Sequence, residues 1–200
     1  EAAPPAVRIG VIGTGCIGIE HLQNLHLLRD VARVVAIADT HESSRRAAAR
    51  ALRRLGDDGG VALVESYEEL LAMPDVDAVI VATPNDHHLE VMGAVCKVGK
   101  HCLVEKPLSI DVAGCAVTEA LADGARATAA AAGKPPPVLW CGMEYRYIPT
   151  IARLLREAHA GEVGTARMLT IREHRFPFLT KVRRSRRPGS RRAGGGAGRG

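Results

Sequence analysis

The sequence predicts an α/β fold: a parallel sheet covered by helices on both faces. Short, largely apolar runs recur at residues 7–12, 34–38, 78–82, 101–104 and 138–141. Segments with helical spacing alternate with them. Four of the runs end on a residue suited to a turn or a polar contact, namely Gly13, Asp39, Thr83 and Glu105. A strand buried on both faces is apolar throughout, and a right-handed crossover helix lays the next strand parallel to it.

The elements follow in order. Residues 7–12 form a strand that ends at glycine, and 17–28 a helix with Ile17, His21, Leu25 and Leu28 on one face. Residues 34–38 are a strand ending at Asp39. Residues 42–55, rich in Ala and Arg, are a helix broken by Gly56 to Gly60. Ser66-Tyr67-Glu68-Glu69 is a capping box that opens a short helix through Leu71. The strand at 78–82 stops at Thr83-Pro84-Asn85, where Asn85 is placed to cap a helix over 86–98 that Gly99 closes. The strand at 101–104 runs into Glu105-Lys106-Pro107. Ser109 caps a long Ala-rich helix that fades near Gly133, and Pro135-Pro136-Pro137 turns the chain into the strand at 138–141. A helix over 148–159, closed by Gly161, and a strand over 165–173 begin something new. The pattern is the doubly wound (Rossmann) fold, which binds ligands at the carboxyl ends of its strands.

Composition narrows the function classes. The 200 residues suffice for one domain and part of a second. No apolar run is long enough to span a bilayer. The five cysteines, an odd number without a Cys-x-x-Cys pair, argue against a disulfide framework and a structural zinc site, and for reduced thiols in a cytoplasmic protein. The first residues do not read as a signal peptide. Residues 183–200 hold seven of the 27 Lys and Arg and no acid, which leaves 20 basic against 22 acidic residues elsewhere. The net charge of +5 therefore belongs to an Arg/Gly tail. Nothing apolar larger than Ala occurs in that tail, so it is expected to be disordered. It has no aromatic residue with which to stack bases, which argues against nucleic acid as a partner. The expected division is a nucleotide-binding domain over 1–145, the start of a truncated second domain over 146–181, and the tail over 182–200.

Three motifs carry chemistry. In Gly13-Thr14-Gly15-Cys16-Ile17-Gly18, the first glycine permits the tight turn after the strand, the second lets a pyrophosphate approach, and the third lets the helix pack closely. The helix N-terminus then faces the phosphates. Asp39, 21 residues past Gly18, is placed to accept both ribose hydroxyls of an adenosine and to repel a 2′-phosphate. This favours NAD over NADP. Arg45 and Arg46 keep NADP possible, although both read as a solvated helix face. Thr83-Pro84-Asn85 and Glu105-Lys106-Pro107 both follow strands at the binding edge, where Lys106 can bind a substrate hydroxyl and help take its proton. His87 and His88 diverge by about 100° on a helix, so no metal is expected there.

Together with Gly99-Lys100-His101, Tyr145-Arg146-Tyr147-Ile148-Pro149 and Gly161-Glu162-Val163-Gly164-Thr165, these motifs make the chain resemble the Gfo/Idh/MocA oxidoreductases from about residue 7 to about residue 180. The resemblance implies an NAD- or NADP-dependent interconversion of a secondary alcohol and a ketone on a sugar, cyclitol or related polyol. It implies cofactor contacts from Gly13, Gly15, Cys16, Ile17, Gly18, Asp39, Thr83, Pro84 and Asn85. His88 would line the same cleft, Glu105 would lie near the nicotinamide, and Arg146 would stand where two domains meet. Lys106 would be the catalytic-site lysine, with a Lys106–Pro107 bond of the kind that is sometimes cis. Full-length members also have a second α/β domain that supplies most of the substrate pocket, a downstream Asp and His, and a homo-oligomer interface. Here the tail takes its place, as a shifted frame, a retained intron or a fragment end would. The alternatives are a nucleotide-binding module without turnover and a nucleic-acid binder acting through the tail.

Overall fold

The computed structural model describes residues 5–57 and 60–174. Its sheet contains β1 (Val7–Ile12), β2 (Ala32–Ala38), β3 (Ala62–Val64), β4 (Ala78–Val81), β5 (His101–Val104) and β6 (Leu139–Cys141). All adjacent strands are parallel, in the order β3-β2-β1-β4-β5-β6. The helices are α1 (Cys16–Leu27), α2 (Glu42–Arg54), α3 (Tyr67–Ala72), α4 (His88–Val98), α5 (Val112–Ala131) and α6 (Pro149–His159). This is the doubly wound fold expected from the sequence. From β1 the chain moves outward through β2 to β3 and then crosses to β4 on the other side. The carboxyl ends of β1 and β4 therefore lie together where the winding reverses, the place at which a sheet of this kind forms its ligand crevice.

The two faces of the sheet bury separate clusters. Val11, Ile37 and Ile80 pack with Leu22 and Leu25 of α1 and with Ala48 and Leu52 of α2. Ile12, Ala38, Val79, Val81 and Val104 pack on the other face with Leu70 and Leu71 of α3 and with Val91, Met92 and Val95 of α4. Neighbouring residues such as Val79, Ile80 and Val81 thus serve opposite faces, which is why these strands are apolar throughout.

Polar ties join the starts of the strands. The guanidinium of Arg8 donates to Asp77 from Nε (3.0 Å) and from its terminal nitrogen (2.6 Å), and the Arg8 amide donates to the same carboxylate at 2.9 Å. Lys100, from the Gly99-Lys100-His101 motif, donates from Nζ to the carbonyls of Met73 (2.9 Å) and Val76 (2.6 Å), and burial pulls its pKa down. Ser66 caps α3 as expected, accepting from the Glu69 amide at 3.1 Å.

The structure corrects several sequence expectations. The buried face of α1 is Gly18, Leu22 and Leu25, whereas Ile17 and Leu28 are 46% and 53% exposed. Gly18 must lie against the glycine loop, and that contact sets the rotation of the helix. Asp111, not Ser109, caps α5: its Oδ1 accepts from the Gly114 amide at 2.6 Å. The helix begins at Val112, so Asp111 occupies the position from which a side chain reaches the third helical amide. Strand β3, only three residues long, was not delimited in the sequence. Residues 165–173 form no strand; Met168, Leu169 and Ile171 there are largely exposed. A strand is stabilised by its ladder, and no described segment pairs with this one.

The chain divides into two compact units, Glu1–Ile148 and a second that begins at Pro149 and includes α6. The expected tail over 182–200 lies outside the described residues. Among the described residues no helix is long and apolar enough to cross a membrane.

The Arg8–Asp77 pair predicts a pH dependence. Hydrogen bonds from the Arg8 side chain and amide hold the Asp77 carboxyl at about 2, below its ordinary 3.8. A depressed folded-state value adds stability that is complete above the unfolded value and is lost as pH falls toward the folded one. Asp77→Asn should therefore lower the urea midpoint near neutral pH, and the difference from the parent should shrink between pH 3.8 and about 2.

Candidate functional site

The crevice is built from the loops that follow β1, β4 and β5. Gly13 ends β1 with φ of +86°, a conformation side chains resist. A Cβ there would stand 2.7 Å from the carbonyl oxygen of Ala82 and 2.8 Å from the amide nitrogen of Thr83. The first glycine thus lets the β1 turn lie directly on the Thr83-Pro84-Asn85 loop. A Cβ on Gly18 would overlap the Gly13 carbonyl oxygen, so the third glycine lets α1 pack on its own loop. Gly15, the N-cap of α1, differs: nothing lies within 4 Å of where its Cβ would be. Helix α1 has no side-chain cap and no acid in its first turn. Its first amides and the positive end of its dipole thus face an open space beside Cys16 and Ile17, suited to an anion.

Asp39 ends β2 beside this loop. Its Oδ2 accepts from the amide of Thr14 at 2.8 Å and from its hydroxyl at 3.0 Å, and its Oδ1 accepts from the His41 amide at 2.9 Å. The side chain is 12% exposed. Two carboxylate oxygens offer about four lone-pair sites, so these three bonds hold Asp39 in place and leave acceptor capacity. Arg45 is not part of a solvated face. It donates to the main-chain oxygen of Asp39 at 2.5 Å, and its side chain is 17% exposed. Arg46 does stand on the solvated face, paired with Glu42 at 2.6 Å.

Thr83 is half-buried. Its Oγ1 is buried without a hydrogen-bond partner, which is rare for a hydroxyl in a native fold. Pro84 leads into a 3₁₀ turn over Asn85–His87. Asn85 does not cap the following helix: α4 has His87 at its N-cap and no side-chain cap, because the 3₁₀ turn intervenes. His88 is fully buried, so it does not line the cleft. Its Nδ1 lies 2.7 Å from the carbonyl oxygen of Pro107, and its Nε2 lies 3.1 Å from that of Thr83. The imidazole thereby ties the loop after β4 to the loop after β5. In the neutral ring one nitrogen donates; only the doubly protonated ring donates to both.

The Lys106–Pro107 bond is cis. Glu105 Oε1 lies 2.8 Å from Nε2 of His21 on α1, and Oε2 accepts from the Lys106 amide at 3.3 Å. Lys106 Nζ lies 3.2 Å from Glu144 Oε1, with both side chains about half exposed. Arg146 stands exposed in the 3₁₀ turn Glu144–Tyr147, where the Tyr147 ring meets Trp140 at 6.2 Å between centroids. Sequence reasoning missed Thr14, His21 and Glu144 as site residues. Thr14 sits at a variable position of the glycine motif, and the other two meet their partners only through the fold. A concavity of about 940 Å³ lined by Arg8, Arg33, Asp77 and His101 lies at the amino ends of the strands, away from this chemistry.

The residues suit a dinucleotide: an uncapped helix N-terminus, an open cradle at Gly15, an anchored carboxylate and an orphaned hydroxyl at Thr83.

A Gfo/Idh/MocA model, described as an oxidoreductase family with an NAD-binding Rossmann fold, matches residues 7–132. The myo-inositol 2-dehydrogenase of Thermotoga maritima is 31% identical over 166 residues, which cover 82% of this chain and 44% of that protein. The inositol 2-dehydrogenase of Agrobacterium fabrum is 38% identical over 109 residues, 54% of this chain and 31% of that protein. Among solved structures, a probable dehydrogenase from Thermotoga maritima superimposes with a TM-score of 0.65 at 30% identity, covering 79% of this chain and 42% of that one. The scyllo-inositol dehydrogenase of Lactobacillus casei, solved with NAD(H) and scyllo-inositol, gives a TM-score of 0.67 at 21% identity, covering 80% and 43%, a likeness of fold alone. The chain spans less than half the length of these relatives.

The buried tie at His88 predicts a contrast. His88→Ala takes the imidazole out from between the Thr83 and Pro107 carbonyls and opens a cavity, and should cost about 3 kcal/mol. Asn85→Ala, exposed and capping nothing, should stay within about 0.5 kcal/mol of the parent. Urea denaturation of the two variants checks both.

Proposed function

The chain belongs to the Gfo/Idh/MocA oxidoreductase family, and from that premise we propose that it binds NAD and that the whole protein interconverts a secondary alcohol and a ketone on a sugar, cyclitol or related polyol. The observation that carries the reading is the meeting of three loops at the carboxyl ends of the adjacent strands β1, β4 and β5, with an uncapped helix N-terminus on one side and Lys106 on the other. The inositol dehydrogenases among its relatives favour a cyclitol.

In this reading the backbone from Gly13 to Gly18 receives the pyrophosphate, with Cys16 and Ile17 supplying the first helical amides. Asp39, already oriented by Thr14, accepts the ribose hydroxyls of the adenosine half. Arg45 has its guanidinium on the Asp39 carbonyl and within 4.0 Å of Glu65. Its charge is thus already partnered, which supports NAD over NADP. The Thr83 hydroxyl gains a partner when the dinucleotide binds, and Pro84 and Asn85 shape the same wall. Glu105 and Lys106 face the nicotinamide end. The nicotinamide supplies the hydride acceptor for alcohol oxidation. Lys106 Nζ donates a hydrogen bond to the reacting oxygen and steadies the negative charge that gathers on it, and Glu144, 3.2 Å away, balances the lysine's charge. His88 acts from beneath by holding the two loops together, and Arg146 lies at the rim.

Titration with NADH, followed by fluorescence, should saturate; no saturation would remove the cofactor reading. Asp39→Ala should weaken NADH about tenfold, or about 1.4 kcal/mol. Thr83→Val removes the orphaned hydroxyl while keeping the shape. It should leave thermal stability unchanged or raised, yet weaken NADH by a similar factor.

A further inference from the structure

We propose that His21 is a positioning residue for the nicotinamide end of the site and acts through Glu105. The inference rests on the NAD reading above. It starts from one contact that joins residues 84 positions apart: His21 Nε2 lies 2.8 Å from Glu105 Oε1.

The pair spans the crevice. His21 comes three residues after Gly18, near the start of the helix whose N-terminus faces the pyrophosphate cradle. Glu105 is the first residue past β5. Since β4 lies between β1 and β5, the contact passes across the end of β4 and links the two halves of the winding. A dinucleotide running from the α1 N-terminus toward Lys106 follows the same direction.

The carboxylate of Glu105 is held at both oxygens. Oε1 meets His21, and Oε2 accepts from the amide of Lys106 at 3.3 Å. Gly142 leaves room for it: a Cβ there would stand 3.3 Å from Oε1. His21 therefore sets the carboxylate, and the carboxylate sets the direction in which the chain leaves toward Lys106. The side chains of His21 and Glu105 are 18% and 19% exposed. An ion pair on the open surface contributes little. At this degree of burial, removal of one partner leaves a poorly solvated group free to turn. That disturbance falls at the nicotinamide end, because Asp39 and the amides of α1 hold the adenosine and pyrophosphate end independently.

Calorimetric titration of the full chain with NADH and with ADP-ribose tests this. ADP-ribose keeps the adenosine and pyrophosphate but lacks the nicotinamide. His21→Ala should weaken NADH about tenfold while leaving ADP-ribose within about twofold. His21→Asn, polar but too short to reach Glu105, should do the same and serves if the alanine variant does not fold. His21→Gln, whose amide nitrogen reaches the place of Nε2, should recover most of the affinity. Equal losses for both ligands, or unchanged NADH binding, overturn the inference. If the parent chain binds neither ligand, the NAD reading falls and takes this inference with it.

Discussion

The ends of β1 and β4 approach so closely that no side chain fits between them. A Cβ at position 13 would sit under 3 Å from the backbone of Ala82 and Thr83, and the backbone there runs at φ of +86°. Everything at the crevice follows from this contact. It brings the glycine loop against the Thr83 loop. It also turns the chain so that α1 starts at the crevice, and Gly18 lets that helix settle on the loop it leaves. Larger residues at 13 or 18 would push α1 off the sheet, and its amides would no longer point into the cleft.

Around that contact, polar side chains act mainly as ties between loops that the sheet alone would leave free. Asp39 holds Thr14, His88 holds the loops after β4 and β5 together, and His21 holds Glu105. Each tie joins segments from different strands, and each is wholly or largely buried. This is the economy of a preorganised site. The groups that the proposed function assigns to a ligand, Lys106 and the α1 amides, stay accessible. The groups that aim them are withdrawn from solvent, where their hydrogen bonds are stronger and loss of a partner costs more.

Much of this was legible before the fold was known, for a physical reason. Strands covered on both faces must be apolar throughout, a glycine must stand where backbone crowds backbone, and motifs at strand ends must fall on the binding edge. The segments at Gly13 to Gly18, Asp39, Thr83 to Asn85 and Glu105 to Pro107 could therefore be placed at the carboxyl ends of their strands from the order of the elements. Errors arose where two local solutions were available. Ser109 and Asp111 can each cap a helix, and only the position of α5 selects Asp111. Two adjacent faces of α1 are similarly apolar, and only the contact at Gly18 selects between them.

The sequence by itself determined the architecture, the binding edge and the chemical types present there, because periodicity and motif order are local properties of the chain. Only the tertiary structure decided what those side chains touch. It turned His88 from a cleft residue into a buried tie, and Arg45 from a solvated cation into a partner of the Asp39 carbonyl. It also made His21 a partner of Glu105 and Glu144 a partner of Lys106. These pairs are separated by 5 to 84 residues along the chain. Which side chains meet across such separations depends on how strands and helices are stacked, and that is settled by packing of the whole domain.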